Sequence, residues 1–449
     1  MPTAAMIETV NAFSTEFVGG PVMIAAVLLT GLFLTLRTNW LQFRCFFQMW
    51  RETVFSLLQK QQDGIGEISS FQALTTALAA TIGTGNMAGV ATAIMLGGPG
   101  AIFWMWFSGC LGMVTKYAEV VLAVYFRYTK PDGTVVGGPM YFLAHGLQSR
   151  LLAIAFAAFG ALAAFGIGNL VQANSVANAV EEAFNFSPLA AGLLMAIITA
   201  LVSIGGIRRI AAFTEKMVPI MAFFYIMSAL ITLFIFREQI PTAFSQIIQN
   251  AFTGRAAVGG FTGATMQQAF RYGIARGIFT NEAGLGSASI AHAAARTDHP
   301  ARQGLWGMFE VFVDTHLICT LTALVILTTG SWTTGLDGAA LTTAAFSRAL
   351  PQLGGYIVAI SIVFFAFSTI ISWSYYGEKC FEYLLGSRPI FIYRLLWIAL
   401  IPVGAMGGLR TIWQLADTLN GLMAIPNLIG LLCLNGIIVQ LTRNFRVKK

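Results

Sequence analysis

The sequence predicts an all-α integral membrane protein with 11 transmembrane helices, and composition and hydropathy both support this fold class. Of the 449 residues, 57% are hydrophobic and only 10% are charged, whereas a soluble domain has roughly 25% charged residues. The mean hydropathy is +0.74. A soluble enzyme is therefore excluded. Nucleic acid is not expected as a partner, because a net charge of +7 in a membrane protein is typical of basic cytoplasmic loops.

Eleven apolar stretches are long enough to cross about 30 Å of hydrocarbon at 1.5 Å per residue. They lie close together along the chain, so we expect residues 1–449 to form a single transmembrane domain. The predicted spans cover approximately residues 18–36, 71–96, 101–126, 152–180, 188–205, 212–236, 263–295, 303–328, 353–380, 390–408 and 417–441.

The distribution of basic residues predicts the orientation of these spans. With the N-terminus outside, all of the 26 Lys and Arg residues fall on the cytoplasmic side except Arg237, Arg255, Arg271, Arg276, Arg348 and Arg410. Cytoplasmic loops are enriched in Lys and Arg. We therefore predict a multi-pass plasma-membrane protein with an outer N-terminus and a cytoplasmic C-terminus.

An internal repeat divides the chain. NMAGVATA at 86–93 and NEAGLGSA at 281–288 share one pattern, and each opens a block of five spans, at 71–236 and at 263–441. Because five is odd, the second block must enter the membrane in the opposite orientation, which gives an inverted repeat. The first span, 18–36, has no signal-peptide cleavage site and is expected to remain as an extra helix.

The first span of each block is rich in glycine, which costs about 1 kcal/mol per residue in a helix relative to alanine. A break near the middle of each span would leave backbone groups unpaired, and this is tolerated where a ligand, an ion or water satisfies them. We therefore expect Thr84 and Gly85 to offer amide donors to an anionic group. Close helix packing is the alternative role for any single glycine, but the paired occurrence favours breaks. A dinucleotide loop is rejected because no strand precedes these glycines.

Polar residues inside the spans are candidates for binding roles, because they are costly in a bilayer. The amide of Gln172 can donate to a carboxylate without carrying charge. The hydroxyls of Ser368 and Thr369 are neutral oxygen ligands, which hard cations accept. The alternatives are a hydroxyl bonded to its own helix and, for the neighbouring Trp373, simple packing.

Charged residues near the spans suggest two kinds of role. We expect Lys116 with Glu119, and Glu215 with Lys216, to form ion pairs or to snorkel near cytoplasmic helix ends. Glu282 falls in the predicted break of the seventh span, and we expect it to hold the unwound segment or a gate in place rather than to bind a cation. The five cysteines and four histidines lack the spacing of a disulfide framework or a metal site, so no cofactor is expected.

Four stretches resemble the alanine or glycine:cation symporter family, also known as sodium:alanine symporters or amino acid carrier proteins. They are ALAATIGTGNMAGVATAI at 77–94, GGPMYFL at 137–143, GIFTNEAGLGSASIAHAAA at 277–295 and STIISWSYYGEKC at 368–380. The resemblance implies a leucine-transporter-like fold, a 5+5 inverted repeat with one added N-terminal helix. It also implies sodium-driven uptake of alanine or glycine.

The same resemblance implies where the amino acid binds. The substrate carboxylate would lie near Thr84, Gly85 and Gln172. The ammonium and side chain would face Phe279, Thr280 and Asn281, and Trp373 would close a pocket too small for bulky side chains.

The resemblance also implies the ion sites. Sodium would bind the carbonyls of Ala79 and Ile82 and the hydroxyls of Ser368 and Thr369. Asn86 resembles the asparagine that related folds place at a second cation site. Because the candidate ligands are neutral, Na⁺ is favoured over a proton as the coupling ion.

A symporter is the preferred interpretation, and two other classes remain. A channel or facilitator would use the same helices without coupling, and uphill accumulation distinguishes it. A membrane enzyme lacks a nucleophile and base at a recognisable spacing. The choice among alanine, glycine and serine, the preferred isomer, the ion stoichiometry and the oligomeric state stay open at this stage.

Overall fold

The computed structural model describes residues 20–58, 64–253, 265–407 and 410–445. The predicted spans extend outside this part at residues 18, 19, 263, 264 and 408. The tail before the first span also lies outside it, as do five of the basic residues used for orientation, Lys60, Arg255, Arg446, Lys448 and Lys449.

The described chain is almost entirely helical. The first half contains α1 (Pro21–Arg37), short helices at Leu41–Arg44 and Phe46–Glu52, and a 3₁₀ turn at Phe55–Leu58. These are followed by α2 (Ser70–Thr81), a 3₁₀ turn at Thr84–Asn86, α3 (Ala88–Gly97) and α4 (Ala101–Tyr125). A hairpin pairs β1 (Tyr128–Thr129) antiparallel with β2 (Val135–Val136). Next come a turn of helix at Pro139–Tyr141 that continues as a π-helix over Phe142–Gly146, then α5 (Arg150–Phe184), α6 (Pro188–Ser203) and α7 (Gly206–Ile235).

The second half begins with a 3₁₀ turn at Arg237–Gln239 and α8 (Ile240–Thr253). It continues with α9 (Met266–Asn281), α10 (Ser289–Ala293), α11 (Pro300–Thr328), a 3₁₀ turn at Ser331–Thr334 and α12 (Gly338–Ala349). The last helices are α13 (Gly354–Leu385), α14 (Ile390–Ala405), α15 (Arg410–Cys433) and α16 (Asn435–Asn444). Two long helices contain π-helical turns, α5 at Ala164–Leu170 and α11 at Phe312–Cys319.

An all-helical membrane protein is confirmed, and the exact number of crossings stays a prediction. Six described helices are long and apolar enough to cross a membrane, and counting α2 with α3 as one bent span makes seven. Three shorter apolar helices, α1, α6 and α14, also fall on predicted spans. The helices α8 and α12 and the short helices before residue 58 were not expected, and the last predicted span is divided at Leu434 into α15 and α16.

Both glycine-rich spans are broken. The axes of α2 and of the helical segment that follows it differ by 64°, and the chain between α9 and α10 is non-helical over seven residues, 282–288. The helices that lead into the two breaks begin alike, with Ser69 and Gln72 forming a capping box on α2 and Thr265 and Gln268 forming one on α9. These reciprocal bonds satisfy amides that a helix start leaves unpaired.

One end of the molecule is closed around α10. Ile65 and Ile68, ahead of α2, form β-bridges with Thr297 and Ala295, which follow α10. The Arg127 guanidinium donates to the carbonyl oxygens of Ala293 at 3.2 Å and Ala295 at 2.7 Å. The segments that precede the first break and follow the second break are therefore joined on the side that the basic residues predict to be cytoplasmic.

Candidate functional site

A central cavity of about 680 Å³ lies between the two broken spans, α5, α12, α13 and α15. Four of the residues predicted to bind substrate line it, namely Thr84, Gly85, Gln172 and Phe279. The cavity extends outward past Asn178 on α5 and Gln352 ahead of α13. It is a pocket large enough for a small organic ligand.

The first break supplies backbone donors to this cavity. α2 ends at Thr81, and the Asn86 side-chain oxygen accepts a hydrogen bond from the Gly83 amide at 2.9 Å. In the described part of the chain, the amides of Thr84 and Gly85 have no acceptor. Two neighbouring free amides on a pocket wall suit an anionic group such as a carboxylate.

The two breaks are in contact at this wall. A methyl group on Gly85 would lie 3.0 Å from Thr280 Cγ2 and 3.5 Å from Phe279 Cδ1. Thr280 and Asn281 are 2% and 1% exposed and do not line the cavity. The structure therefore brings Phe279 and Thr280 to the first break, with Phe279 on the cavity and Thr280 behind it, whereas Asn281 donates to Thr315 on α11.

The side chain of Gln172 is oriented by the π-helical turn of α5. Its Nε2 donates to the Ile167 carbonyl at 3.1 Å, a bond that spans five residues. Its Oε1 is buried and has no partner among the described residues. The free group of Gln172 is therefore an acceptor, whereas the sequence analysis assigned it the role of donor to a carboxylate.

The predicted sodium ligands also meet at the first break. The Ser368 hydroxyl oxygen lies 3.1 Å from the Ala79 carbonyl oxygen, and that of Thr369 lies 3.2 Å from it and 3.3 Å from the Ala80 carbonyl oxygen. The shortest acceptor for both hydroxyls is the Phe365 carbonyl of their own helix, at 2.9 and 3.0 Å, as in the alternative raised from the sequence. Ile82 is fully buried at the end of α2. A methyl group on the adjacent Gly83 would lie 3.1 Å from Thr369 Oγ1. Two hydroxyls and neighbouring helix-end carbonyls form a set of neutral oxygens that suits a hard cation.

The repeated asparagines both bond to the π-helical turn of α11. Asn86 Nδ2 donates to Asp314 Oδ1 at 2.6 Å, and Asn281 Nδ2 donates to Thr315 Oγ1 at 3.1 Å. Asp314 is fully buried, and its other carboxylate oxygen accepts from Thr315 at 2.9 Å. Asp314 has no role among the sequence predictions, although its position as a charged residue inside a predicted span is a signal for a functional role.

The two ends of the second break are linked by the carboxylate of Glu282. Glu282 accepts hydrogen bonds from Ser287 Oγ at 2.5 Å and from Trp373 Nε1 at 3.1 Å, so its carboxylate joins both ends of the break to α13. Trp373 packs so closely on Gly168 of α5 that a methyl group on this glycine would overlap Trp373 Cβ. The structure thus places Trp373 behind the break, and it does not line the central cavity.

The expectation that Lys116 and Glu119 form a pair near a cytoplasmic helix end is wrong. Both are fully buried on α4. Glu119 Oε1 accepts from the amides of Gly284 at 2.8 Å and Gly286 at 3.1 Å and from Asn427 Nδ2 at 2.7 Å. Lys116 Nζ lies 3.4 Å from Glu310 Oε1. Lys116 and Glu119 therefore lie in the protein interior, where residues distant in the sequence pair with them.

The two residues of the other predicted helix-end pair, Glu215 and Lys216, have different surroundings. Lys216 is exposed, as a snorkelling lysine would be. Glu215 accepts a hydrogen bond from Gln72 Nε2 at 2.9 Å and therefore ties α7 to the start of α2.

Charged side chains also line the central cavity, and sequence analysis did not assign them to it. They are Glu182, Arg276 and Asp417. The Arg276 guanidinium carbon lies 6.0 Å from the centre of the Phe279 ring. No local motif marks these residues, because the cavity collects them from three separate helices.

Comparison with known proteins agrees with this architecture. The chain is 50% identical over 453 residues to the sodium/alanine symporter AgcS of Methanococcus maripaludis, with 99% of this chain and 98% of that protein covered. It is 36% identical over 446 residues to the probable sodium/glutamine symporter GlnT of Bacillus subtilis, covering 99% and 92% of the two chains.

Two solved structures share the fold at low sequence identity. MhsT in complex with L-phenylalanine is 12% identical, with a TM-score of 0.58 over 85% of this chain and 99% of that one. A Na⁺-coupled sialic acid symporter is 14% identical, with a TM-score of 0.52 over 96% and 85% of the two chains. The model of the sodium:alanine symporter family matches residues 3–449, and the chain therefore belongs to that family.

Proposed function

We propose that the protein carries a small neutral amino acid, alanine or glycine, into the cytoplasm together with Na⁺ by alternating access. Family membership makes it a secondary transporter and not an enzyme. The observation that carries the proposal is the first break, which presents free amides to the central cavity and helix-end carbonyls to two hydroxyls of α13. One element would thus hold the substrate and the ion together.

The substrate carboxylate binds the amides of Thr84 and Gly85 in this proposal. The ammonium then lies against Gln172 Oε1, because this buried acceptor has no partner among the described residues and an ammonium has only donors. Phe279 contacts the side chain. The size of the substrate side chain is limited from behind the cavity wall by three residues that fix the position of Phe279 and the second break. They are Thr280, Asn281 and Trp373.

Sodium binds the carbonyls of Ala79 and Ile82 and the hydroxyls of Ser368 and Thr369. Each hydroxyl can donate its proton to the Phe365 carbonyl and turn a lone pair to the ion. Because α2 ends at the same break that offers amides to the carboxylate, ordering by one ligand favours the other. A typical coupling of 1–3 kcal/mol corresponds to a factor of roughly 5–150 in affinity.

In this proposal the second cation site of the sequence analysis uses the Asp314 carboxylate and the side-chain oxygen of Asn86. Both atoms of the Asn86 amide are engaged, with Asp314 and Gly83, so the amide would have to turn when a cation binds. The buried Asp314 carboxylate supplies the negative charge, and a sodium ion there would balance it. This site would share the first break with the sodium site at Thr369.

Alternating access in this proposal uses the inverted halves 71–236 and 263–441, with α1 as the extra helix, in the plasma membrane. The N-terminus is outside and the C-terminus inside. The central cavity extends past Asn178 and Gln352 toward the predicted outer side, while Arg127 and the β-bridges join the predicted inner side. This arrangement supports an inward-closed state that loads substrate from outside.

Uptake of labelled alanine and glycine into proteoliposomes tests the proposal. We expect accumulation above equilibrium only with an inward Na⁺ gradient. Equilibration that does not depend on the gradient would favour a facilitator, and uptake driven by a proton gradient without sodium would contradict the assignment of Na⁺.

A further inference from the structure

A cluster of charged residues is buried away from the central cavity. We call it the inner charge cluster, and it consists of Lys116 and Glu119 on α4, Glu282 in the second break, His292 on α10 and Glu310 on α11. Glu282 is 5% exposed and the other four are fully buried. None of the five lines the central cavity, and the proposed transport mechanism gives His292 and Glu310 no role.

Hydrogen bonds divide the carboxylates of this cluster into two kinds. Glu119 accepts from two backbone amides and Asn427, and Glu282 accepts from Ser287 and Trp373. Such neutral donors stabilise an ionised carboxylate. Glu310 has none of them, and faces the Lys116 ammonium at 3.4 Å and His292 Nε2 at 3.1 Å.

The cluster is short of positive charge. With His292 neutral and its three acids ionised, it would hold three negative charges and one ammonium, and a buried charge without compensation is costly. The elements packed against α10 add little to balance it. The described α2 and β2 carry no titratable residue, α13 contributes the buried Tyr376, Asp314 follows one turn later on α11, and Arg127 is engaged by the carbonyls around Ala293.

The second nitrogen of the His292 ring is suited to take a proton. Gln303 Nε2 lies 2.8 Å from His292 Nδ1, and Gln303 Oε1 is buried and has no partner among the described residues. In this arrangement the amide donates to an unprotonated Nδ1. If the amide turned by half a rotation, its oxygen would accept from a protonated Nδ1, because the two ends of a glutamine amide have nearly the same shape.

We propose that His292, with Glu310 and Gln303, forms a proton-binding site in the membrane core that biases the transport cycle. The proton adds to Nδ1 of His292, the Gln303 carbonyl accepts it in a hydrogen bond, and the imidazolium forms a charge-assisted bond with Glu310. No other group is oxidised, reduced or transferred.

The location of His292 connects this site to conformational change. α10 follows the second break directly and precedes the segment that pairs with Ile65 and Ile68 and binds Arg127. A stronger bond between α10 and α11 stabilises the inward-closed arrangement. Since that arrangement must open in each cycle, a lower pH slows turnover.

Histidine NMR tests proton binding without any transport assay. The variant H145Q/H299Q/H316Q, carrying an affinity tag without histidine, leaves His292 as the single imidazole. In ¹⁵N-labelled protein in nanodiscs, scanned from about pH 8 to pH 5, we expect acidification to convert the His292 nitrogens from the neutral Nε2–H form to imidazolium. A signal that stays neutral over this interval overturns the proposal. Adding E310Q should keep His292 neutral, and an unchanged titration there also contradicts it.

The pH profile of transport tests the bias. We expect the rate of sodium-driven alanine uptake to fall about fivefold or more between pH 8 and pH 5 in the wild type, a change within the usual range of coupling. H292Q should flatten the profile to within about twofold, and H145Q, at an exposed histidine, should keep it. A wild-type profile in H292Q refutes the bias. Absence of sodium-driven uptake at every pH would refute the proposed function instead, and the NMR result would still decide proton binding.

Discussion

The two breaks carry the same sequence pattern but are stabilised in different ways. The first leaves the amides of Thr84 and Gly85 without acceptors in the described chain, on the wall of the central cavity. In the second, the amides of Gly284 and Gly286 both bond to the Glu119 carboxylate. The first break is therefore open to a ligand, whereas the second is occupied by the protein's own anion.

This difference shows that the repeated motif determines the local hydrogen bonding of its asparagine but does not determine whether the break binds a ligand. In both copies the asparagine oxygen accepts a nearby amide, from Gly83 in one and from Ala283 in the other, and the nitrogen bonds to the π-helical turn of α11. The residue after the asparagine separates them, being Met87 in the first copy and Glu282 in the second. We infer that the first break binds ligands and that the second is a rigid bend between α9 and α10.

Removal of the Glu119 carboxylate should have the largest effect. In Glu119→Leu, the amides of Gly284 and Gly286 lose their acceptor. Asn427 keeps only the Gly284 carbonyl as an acceptor, and Lys116 loses a nearby negative charge. Breaking a buried charged contact of this kind costs about 3–5 kcal/mol. We expect a large fall in the thermal unfolding temperature of the detergent-solubilised protein and loss of uptake.

Glu119→Gln is the matched control, because it keeps a carbonyl oxygen for the two amides and removes only the charge. It should retain more stability than Glu119→Leu. Equal unfolding temperatures for Glu119→Leu and the wild type would contradict the view that a carboxylate holds the second break.

Thr369→Ala should have the next largest effect and acts at the first break. It removes one oxygen of the proposed sodium site, and the loss of a buried polar ligand is worth about 1–3 kcal/mol. We expect the sodium concentration for half-maximal uptake to rise roughly tenfold, with a smaller change in the maximal rate. Ser372→Ala on the same helix is the control, since the buried Ser372 hydroxyl has no partner among the described residues. Equal sodium dependence in both variants would remove Thr369 from the ion site.

The breaks could be predicted from sequence because glycine density and the repeat are local signals. The inner charge cluster could not, because the partner amide of Glu119 lies 165 residues away and composition alone favours a helix end for Lys116 and Glu119. The orientation of the Gln172 side chain also could not be predicted from the sequence, because it depends on the Ile167 carbonyl in a π-helical turn. Sequence patterns identify which backbone groups lack partners, whereas the side chains that satisfy them come from the tertiary fold.

Substitutions of Gln172 test which group of the substrate this side chain binds beside the first break. If Oε1 accepts the substrate ammonium, Gln172→Glu keeps an acceptor and Gln172→Leu removes it. We therefore expect Gln172→Leu to weaken alanine binding by about 1–3 kcal/mol and Gln172→Glu to weaken it less. Binding of labelled alanine at saturating sodium measures both. The reverse order would return Gln172 to a donor role toward the carboxylate, because a glutamate would repel that group.

Gly85→Ala should give the smallest effect, and it probes the contact between the two breaks. The added methyl group would lie 3.0 Å from Thr280 Cγ2, so Thr280 must yield by a few tenths of an ångström and the cavity wall shifts with it. We expect alanine affinity to fall about fivefold to tenfold, at the lower end of the roughly 1–3 kcal/mol that a methylene changes in a pocket, with little change in sodium dependence. Gly89→Ala is the control, because its methyl group would meet only Arg276 Cδ at 3.9 Å. If both variants bind alanine like the wild type, the wall between Gly85 and Thr280 does not set the size of the site, and the outer residues of the cavity become the better candidates for selectivity.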